Sequence, residues 1–206
     1  MPTASFYAAC AGGGACVPQP GTNQKLDSLG DRLMYRLAYR ADASGGSLLA
    51  VHSVAAGDGT TDGTGIRWYR LRIDAGTTVP RLEDAATFAP DARHRWLPAI
   101  AADGAGNVAI GYSIGDATTY PSLAVAGRLA TDAPGLLTQG ETIVQAGSGS
   151  QTTMPSGAAL TRWGDYASMS VDPGGCKFWL TTEHYAGGLN DNWQTWIQPI
   201  TLTSCS

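Results

Sequence analysis

Leu97-Pro98-Ala99-Ile100-Ala101-Ala102-Asp103-Gly104-Ala105-Gly106-Asn107-Val108-Ala109-Ile110-Gly111-Tyr112-Ser113 reads as strand, tight turn, strand. Both apolar runs are too short for a typical helix. The Asp103-Gly104 step supplies the positive φ that a tight turn needs. The same scheme recurs at Ala167-Ser168-Met169-Ser170-Val171-Asp172, where Pro173-Gly174-Gly175 makes the turn into Cys176-Lys177-Phe178-Trp179-Leu180-Thr181. A third copy pairs Leu33-Met34-Tyr35-Arg36-Leu37-Ala38-Tyr39 with Ser47 to Ser53.

Ser28 to Arg40 also carries Leu29, Leu33, Leu37 and Arg40 near one helical face. Tyr35, Leu37 and Tyr39 alternate as a strand would, and the parallel with the other two copies decides for strand. Outer strands are predicted at Gly65 to Asp74, Tyr120 to Leu129 and Trp193 to Leu202. The repeat length of about 65 residues, at four strands per unit, is that of propeller blades. The expected architecture is therefore all-β: a partial, about three-bladed propeller of four-stranded antiparallel blades. It forms one domain, 1–206, with a loop-rich start over 1–24 and blades over about 25–90, 91–160 and 161–206. In that start only Ala4 to Cys10 reads as a strand.

Composition agrees with many short strands. Hydrophobic residues make up 43% of the 206, enough for a packed core, and charged residues only 15%, while Gly 27 and Pro 11 supply turns. A net charge of -4 leaves no basic face for nucleic acid. No apolar run is long enough to span a bilayer. Met1-Pro2-Thr3-Ala4 lacks the features of a signal peptide, so the signal has been removed or the chain starts inside a longer gene.

Cys10, Cys16, Cys176 and Cys205 form no Cys-x-x-Cys pair, and His52, His94 and His184 do not stand beside them at zinc spacing. Four buried thiols are one reading. Two disulfides, Cys10–Cys16 and Cys176–Cys205, are the preferred one, because Cys176 opens an apolar strand and Cys205 closes the last. An oxidising compartment, periplasmic or extracellular, follows.

The segment Leu97 to Val108 resembles blades of the sialidase-like propeller superfamily. Arg162-Trp163-Gly164-Asp165-Tyr166 with Ser168 to Pro173, and Gln24-Lys25-Leu26-Asp27-Ser28-Leu29-Gly30-Asp31-Arg32, are similar to bacterial secreted proteins of sialidase-like or glycosyl-hydrolase-like type. The resemblance runs from about Val17 onward and implies a secreted propeller fold. It departs from true sialidases: their Ser-x-Asp-x-Gly-x-Thr-Trp boxes are reduced to Asp103 to Asn107 and Asp172 to Gly175, and no Phe-Arg-Ile-Pro motif occurs. No sialidase catalytic role is carried over.

Residues leading into the innermost strand of a blade sit at the channel mouth. Asp31, Arg32, His94, Arg95, Asp165 and Tyr166 are thus expected around one mouth, as acid–base, carbonyl-polarising or metal-binding groups. The competing reading makes them ion pairs that satisfy buried strand ends. Arg32, Arg162, Trp96 and Glu183 are candidate substrate contacts. Glu183-His184 has the residues of a general-base pair, but neighbours in a strand point to opposite faces. Asp31 and Asp165, with Asp27, offer hard oxygen donors for calcium. The Gly57 to Thr64 loop, with Asp58 and Asp62, offers a second set but is better read as a hairpin loop. Trp68, Trp96, Trp163, Trp179, Trp193 and Trp196 could stack on sugars; packing between blades is the commoner use.

The expected function is a secreted hydrolase acting on a glycan or a small ester or lactone, an acyl-lactone for example, with calcium as Lewis acid. The ligand is a carbohydrate or small molecule. The alternatives are a non-catalytic module that binds glycan or protein, and a fragment that pairs with a second copy to close a ring.

Overall fold

The structure is a computed structural model. It describes residues 2–11, 14–34, 36–57, 63–152, 156–189 and 193–202. Apart from one 3₁₀ turn at Ala9–Ala11, the regular structure is all strand. A hairpin of β1 (Ala15–Gln19) and β2 (Thr22–Asp27) comes first. A four-stranded antiparallel meander follows: β3 (Ala38–Asp42), β4 (Gly45–Ala55), β5 (Thr64–Asp74) and β6 (Arg81–Phe88). A second has β7 (His94–Ala102), β8 (Val108–Gly115), β9 (Ser122–Arg128) and β10 (Glu141–Gln145). The third sheet is assembled from β12 (Ser168–Val171), β13 (Lys177–Tyr185) and β15 (Trp193–Thr201). The short β11 (Gly149–Ser150) and β14 (Gly188–Leu189) pair in parallel beside it.

The all-β expectation and the four-stranded antiparallel sheets hold for the first two units. The third shows three strands among the described residues. The predicted turns fall where expected, but their positive φ sits at Gly106 (83°) and Gly175 (79°), not at the Asp103-Gly104 step. Asp103 accepts from the N–H groups of Ala105 and Asn107 at 3.0 and 2.9 Å, and Asp172 from those of Cys176 and Lys177 at 3.1 Å each. Both aspartates thereby close their turns with side-chain oxygens.

Two local expectations need correction. The first unit's opening strand starts at Ala38, not Leu33. Residues 33–34 and 36–37 are irregular, and Met34 N–H instead donates to Val51 O at 2.9 Å. Tyr35 lies outside the described residues. Secondly, 4–10 is not a strand, and 15–24, read as loop, forms a hairpin that runs on to Asp27. Pro20-Gly21 looked like a loop breaker but supplies the hairpin turn, with Gly21 at φ 69°.

The first strands of the three sheets meet. Residues 36–40, 99–102 and 168–171 line one cavity of about 330 Å³. At its turn end, Gly104 N–H donates to Gly175 O at 2.6 Å, and the Arg40 guanidinium lies over both glycines. Strand β7 is the hub and is buried along its whole length. Its Leu97 N–H donates to Ser53 Oγ at 3.2 Å, and Thr64 Oγ1 both donates to and accepts from the Arg95 backbone. These bonds fasten the second sheet to the first. The main core packs Trp68, Trp96, Ile110, Tyr112 and Trp163 between units. Leu180 and Phe178 of β13 fill the gap to Ala99, Ala101 and Ala109. Burial of each such large side chain contributes on the order of 2 kcal/mol.

The Cys10–Cys16 disulfide is present. No described cysteine is a free thiol; the partner predicted for Cys176, Cys205, lies outside the described residues. Among the described residues no helix is long and apolar enough to cross a membrane.

Candidate functional site

The clusters that lead into the first and third sheets come together. Asp31 and Arg32 form a two-pronged ion pair, with Nε and Nη2 each 2.8 Å from a carboxylate oxygen. Arg32 also bonds the Tyr166 phenol, from the third unit. Arg162 Nε donates to Asp165 at 2.6 Å, and its positive charge is felt by Asp31. Backbone continuity fixes the meeting: Asp27 N–H donates to Thr161 O at 2.8 Å, and Gln151 Nε2 donates to Arg162 O. Gln151 is itself held by Gln19 of the first hairpin, through Gln151 N–H to Gln19 Oε1 at 2.8 Å.

Glu183 completes the rim from β13. Its carboxyl sits against Gly164, where a Cβ would be 3.1 Å from the carboxyl atoms. Gly164 has φ +47°, so a residue without Cβ suits both the conformation and the close approach. Burial pushes the Glu183 carboxyl above its ordinary range, and the negative charge of Asp165 adds to the rise; the Gly164 N–H works in the opposite direction. The Arg32 hydrogen bond holds Asp31 below the usual carboxylate range. Asp31 raises Arg32 in return, with Tyr166 second, and Asp165 raises Arg162. The rim thus carries one carboxyl that resists ionisation, two ionic pairs and a phenol.

Of the six residues predicted around a mouth, Asp31, Arg32, Asp165 and Tyr166 share this rim, with Arg162 and Glu183. His94 and Arg95 do not. Both stand in the first residues of β7 and are buried between the first and second sheets. Arg95 is 0% exposed and donates to Glu141 at 2.7 and 3.0 Å and to Asp91 at 2.9 Å. Glu141 also accepts from Tyr112 Oη at 2.7 Å and from Arg93 at 2.8 Å. Burial opposes the charge on Arg95, yet the two carboxylates raise it above its ordinary value. Burial also drives the Tyr112 phenol far up, with Glu141 adding to the effect. This is a structural knot whose centre, Arg95 with Glu141, is closed to a substrate, while Asp91 and Arg93 at its edge reach solvent. Trp96 is also fully buried, packed edge-on to Trp163 at 6.3 Å, so it contacts its neighbours and no ligand.

The calcium expectation meets a chemical objection. Asp31 and Asp165 each face an arginine, and among the described residues no group of three or more His, Cys, Asp or Glu side chains converges. Calcium takes six to eight oxygens, so these residues as arranged do not fit it. Asp58 and Asp62 of the alternative loop lie outside the described residues.

Sequence reading missed Gly164 as the residue that seats Glu183. The signal was its place in Trp163-Gly164-Asp165. It also missed His52. His52 Nε2 is 3.0 Å from Tyr69 Oη, and Phe6 packs edge-on to its ring at 4.6 Å. Burial, with Arg67 second, lowers its pKa to about 4. No protein-family model, curated protein or solved structure matches the chain.

Proposed function

We propose that the chain is part of a secreted, sialidase-like β-propeller hydrolase that cleaves a glycan or an ester at the rim between its first and third sheets. Convergence of β3, β7 and β12 on one cavity supports the radial arrangement of blades. The Cys10–Cys16 disulfide supports an oxidising destination.

The observation that carries the chemistry is Glu183, a half-buried carboxyl with a raised pKa beside Asp165. Hydrolysis of a glycosidic bond needs one carboxylic acid and one carboxylate. Glu183 donates its proton to the leaving oxygen as the C–O bond breaks. Asp165 takes a proton from the water that attacks the carbon. Arg32, Arg162 and Tyr166 orient the substrate's oxygens. No step passes through a metal.

Glu183→Gln keeps the shape and removes the acid. Turnover of 4-methylumbelliferyl glycosides or p-nitrophenyl esters is expected to fall by roughly 10²–10⁴-fold. The wild-type rate should decline as pH rises through the raised Glu183 pKa, because only the protonated acid works. Unchanged turnover in Glu183→Gln would remove the reading.

The exposed, ion-paired arginines favour a second reading, a glycan-binding module without catalysis. Glycan-array binding that is lost in Arg162→Ala, with no turnover on any substrate, selects it. Exposed Trp193 and Ile197 on β15, at 52% and 61%, favour pairing with a second copy; a dimeric mass in light scattering selects that.

A further inference from the structure

A second cavity, of about 740 Å³, opens on the outer face of the first sheet. Its floor is β4 and β5, through Ala50, His52, Tyr69 and Leu71. One wall is the loop bearing Leu33 and Leu37; the other is the N-terminal segment. That segment is fastened down: Ala55 N–H donates to Tyr7 O at 2.9 Å, Arg67 Nη2 donates to Ala4 O at 3.3 Å, and Phe6 packs on His52. The cavity is therefore walled on two sides and floored by a sheet.

The lining is almost wholly apolar. Its polar side chains are few: Thr3, the His52–Tyr69 pair and the Asp31–Arg32 pair. His52 and Tyr69 bond each other, so neither demands a polar ligand. The volume lies in the range of pockets that take small molecules, about 300–1,000 Å³. Arg32 directs two of its five N–H donors at Asp31 and another at Tyr166, which leaves donors for a carboxylate oxygen at the cavity's edge. Asp31 offsets the charge of Arg32, so the head is held by the remaining N–H donors, and the apolar slot beside them suits a hydrocarbon tail.

We propose that this cavity binds a medium-chain acyl group, its tail on Ala50, Leu33, Leu37 and Leu71 and its carboxylate or ester oxygens on Arg32. The occupant is a small acyl compound. The site stands beyond the hydrolytic reading, since binding here needs no turnover.

Sodium octanoate, titrated into the intact chain by calorimetry and by thermal-shift assay, is the test, with propionate as the short-chain control. Octanoate is expected to bind and raise Tm, and propionate to have little effect. Ala50→Phe, which fills the floor, should weaken octanoate at least tenfold. Leu33→Asp changes a half-exposed loop residue that the fold does not depend on. It should weaken octanoate similarly while leaving Tm without ligand unchanged. Arg32→Gln should weaken octanoate but leave octanol binding unaltered. No octanoate binding, or equal affinity in wild type, Ala50→Phe and Leu33→Asp, overturns the proposal. So does a dimer by light scattering that Leu33→Asp splits, because the occupant is then a second copy. Octanoate binding with no hydrolysis of any ester or glycoside sustains this site and removes the catalytic one.

Discussion

Two groups of arginines and carboxylates in this protein look alike in sequence and behave oppositely in space. Arg95 with Glu141 is sealed between sheets, every prong of the guanidinium pointing at a protein oxygen, with Asp91 closing the group from the surface. Arg32 with Asp31, and Arg162 with Asp165, stand half in water. The sealed group is a condition of folding, since an unpaired charge there has no solvent to turn to. The open group contributes little to stability and is free to exchange partners with a ligand. The same residue types are therefore locked into architecture in one place and left open to solvent in the other, and water access marks the difference.

The largest expected effect attacks the sealed side. Arg95→Ala leaves Glu141 buried with a lost partner and should destabilise by about 3–5 kcal/mol in urea denaturation. Asp31→Ala and Arg32→Ala should leave the urea midpoint unmoved. A rim variant that unfolds as readily as Arg95→Ala would erase the distinction.

A smaller effect concerns a buried base away from both groups. Unfolded His52 takes up a proton near pH 6.5, while the folded ring resists until about pH 4. The unfolded state therefore holds more protons in that window, and stability, complete above 6.5, is lost as pH falls towards 4. The loss should be roughly 2 kcal/mol. His52→Phe should flatten the slope between those two pH values. A wild-type curve that is already flat there would contradict the burial of a neutral imidazole.

The smallest effect sharpens the open side. Glu183 has its pKa raised from 4.5 in the fold, so the folded state holds the extra proton and stability falls as pH rises past 4.5. Glu183→Gln should consequently be slightly more stable than wild type at pH 7, with the gain gone by pH 4. A variant less stable at both values would mean that the carboxylate is held by favourable contacts.

Sheets and turns were legible because their signals are local. Asp103-Gly104 and Asp172-Pro173-Gly174 name their turns, and apolar runs such as Val108 to Ser113 name the strands between them. The start of β3 was misplaced because Leu33 and Leu37 look like strand residues but are partly exposed beside a cavity. Nothing in their own neighbourhood marks that. Meeting of Asp31–Arg32 with Tyr166 followed from the repeat, since both clusters lead into the first strand of a sheet. The same argument failed for Arg95, because its fate depends on Glu141, many residues downstream and in no repeated motif. Equivalence of position predicts direction; it does not predict which carboxylate arrives from elsewhere.

Gly111 on β8 has a consequence for the rim it never touches. Leu180 of β13 occupies the place where a Cβ of Gly111 would be, so the second and third sheets lie closer there than any side chain would permit. Glu183 rides on the same strand, three residues further on. A methyl group at Gly111 would act as a shim, prising β13 outward and lifting Glu183 off Gly164. The gap between the sheets thus sets the aperture of the site, and breeding a bulkier residue into that one position would retune it from a distance.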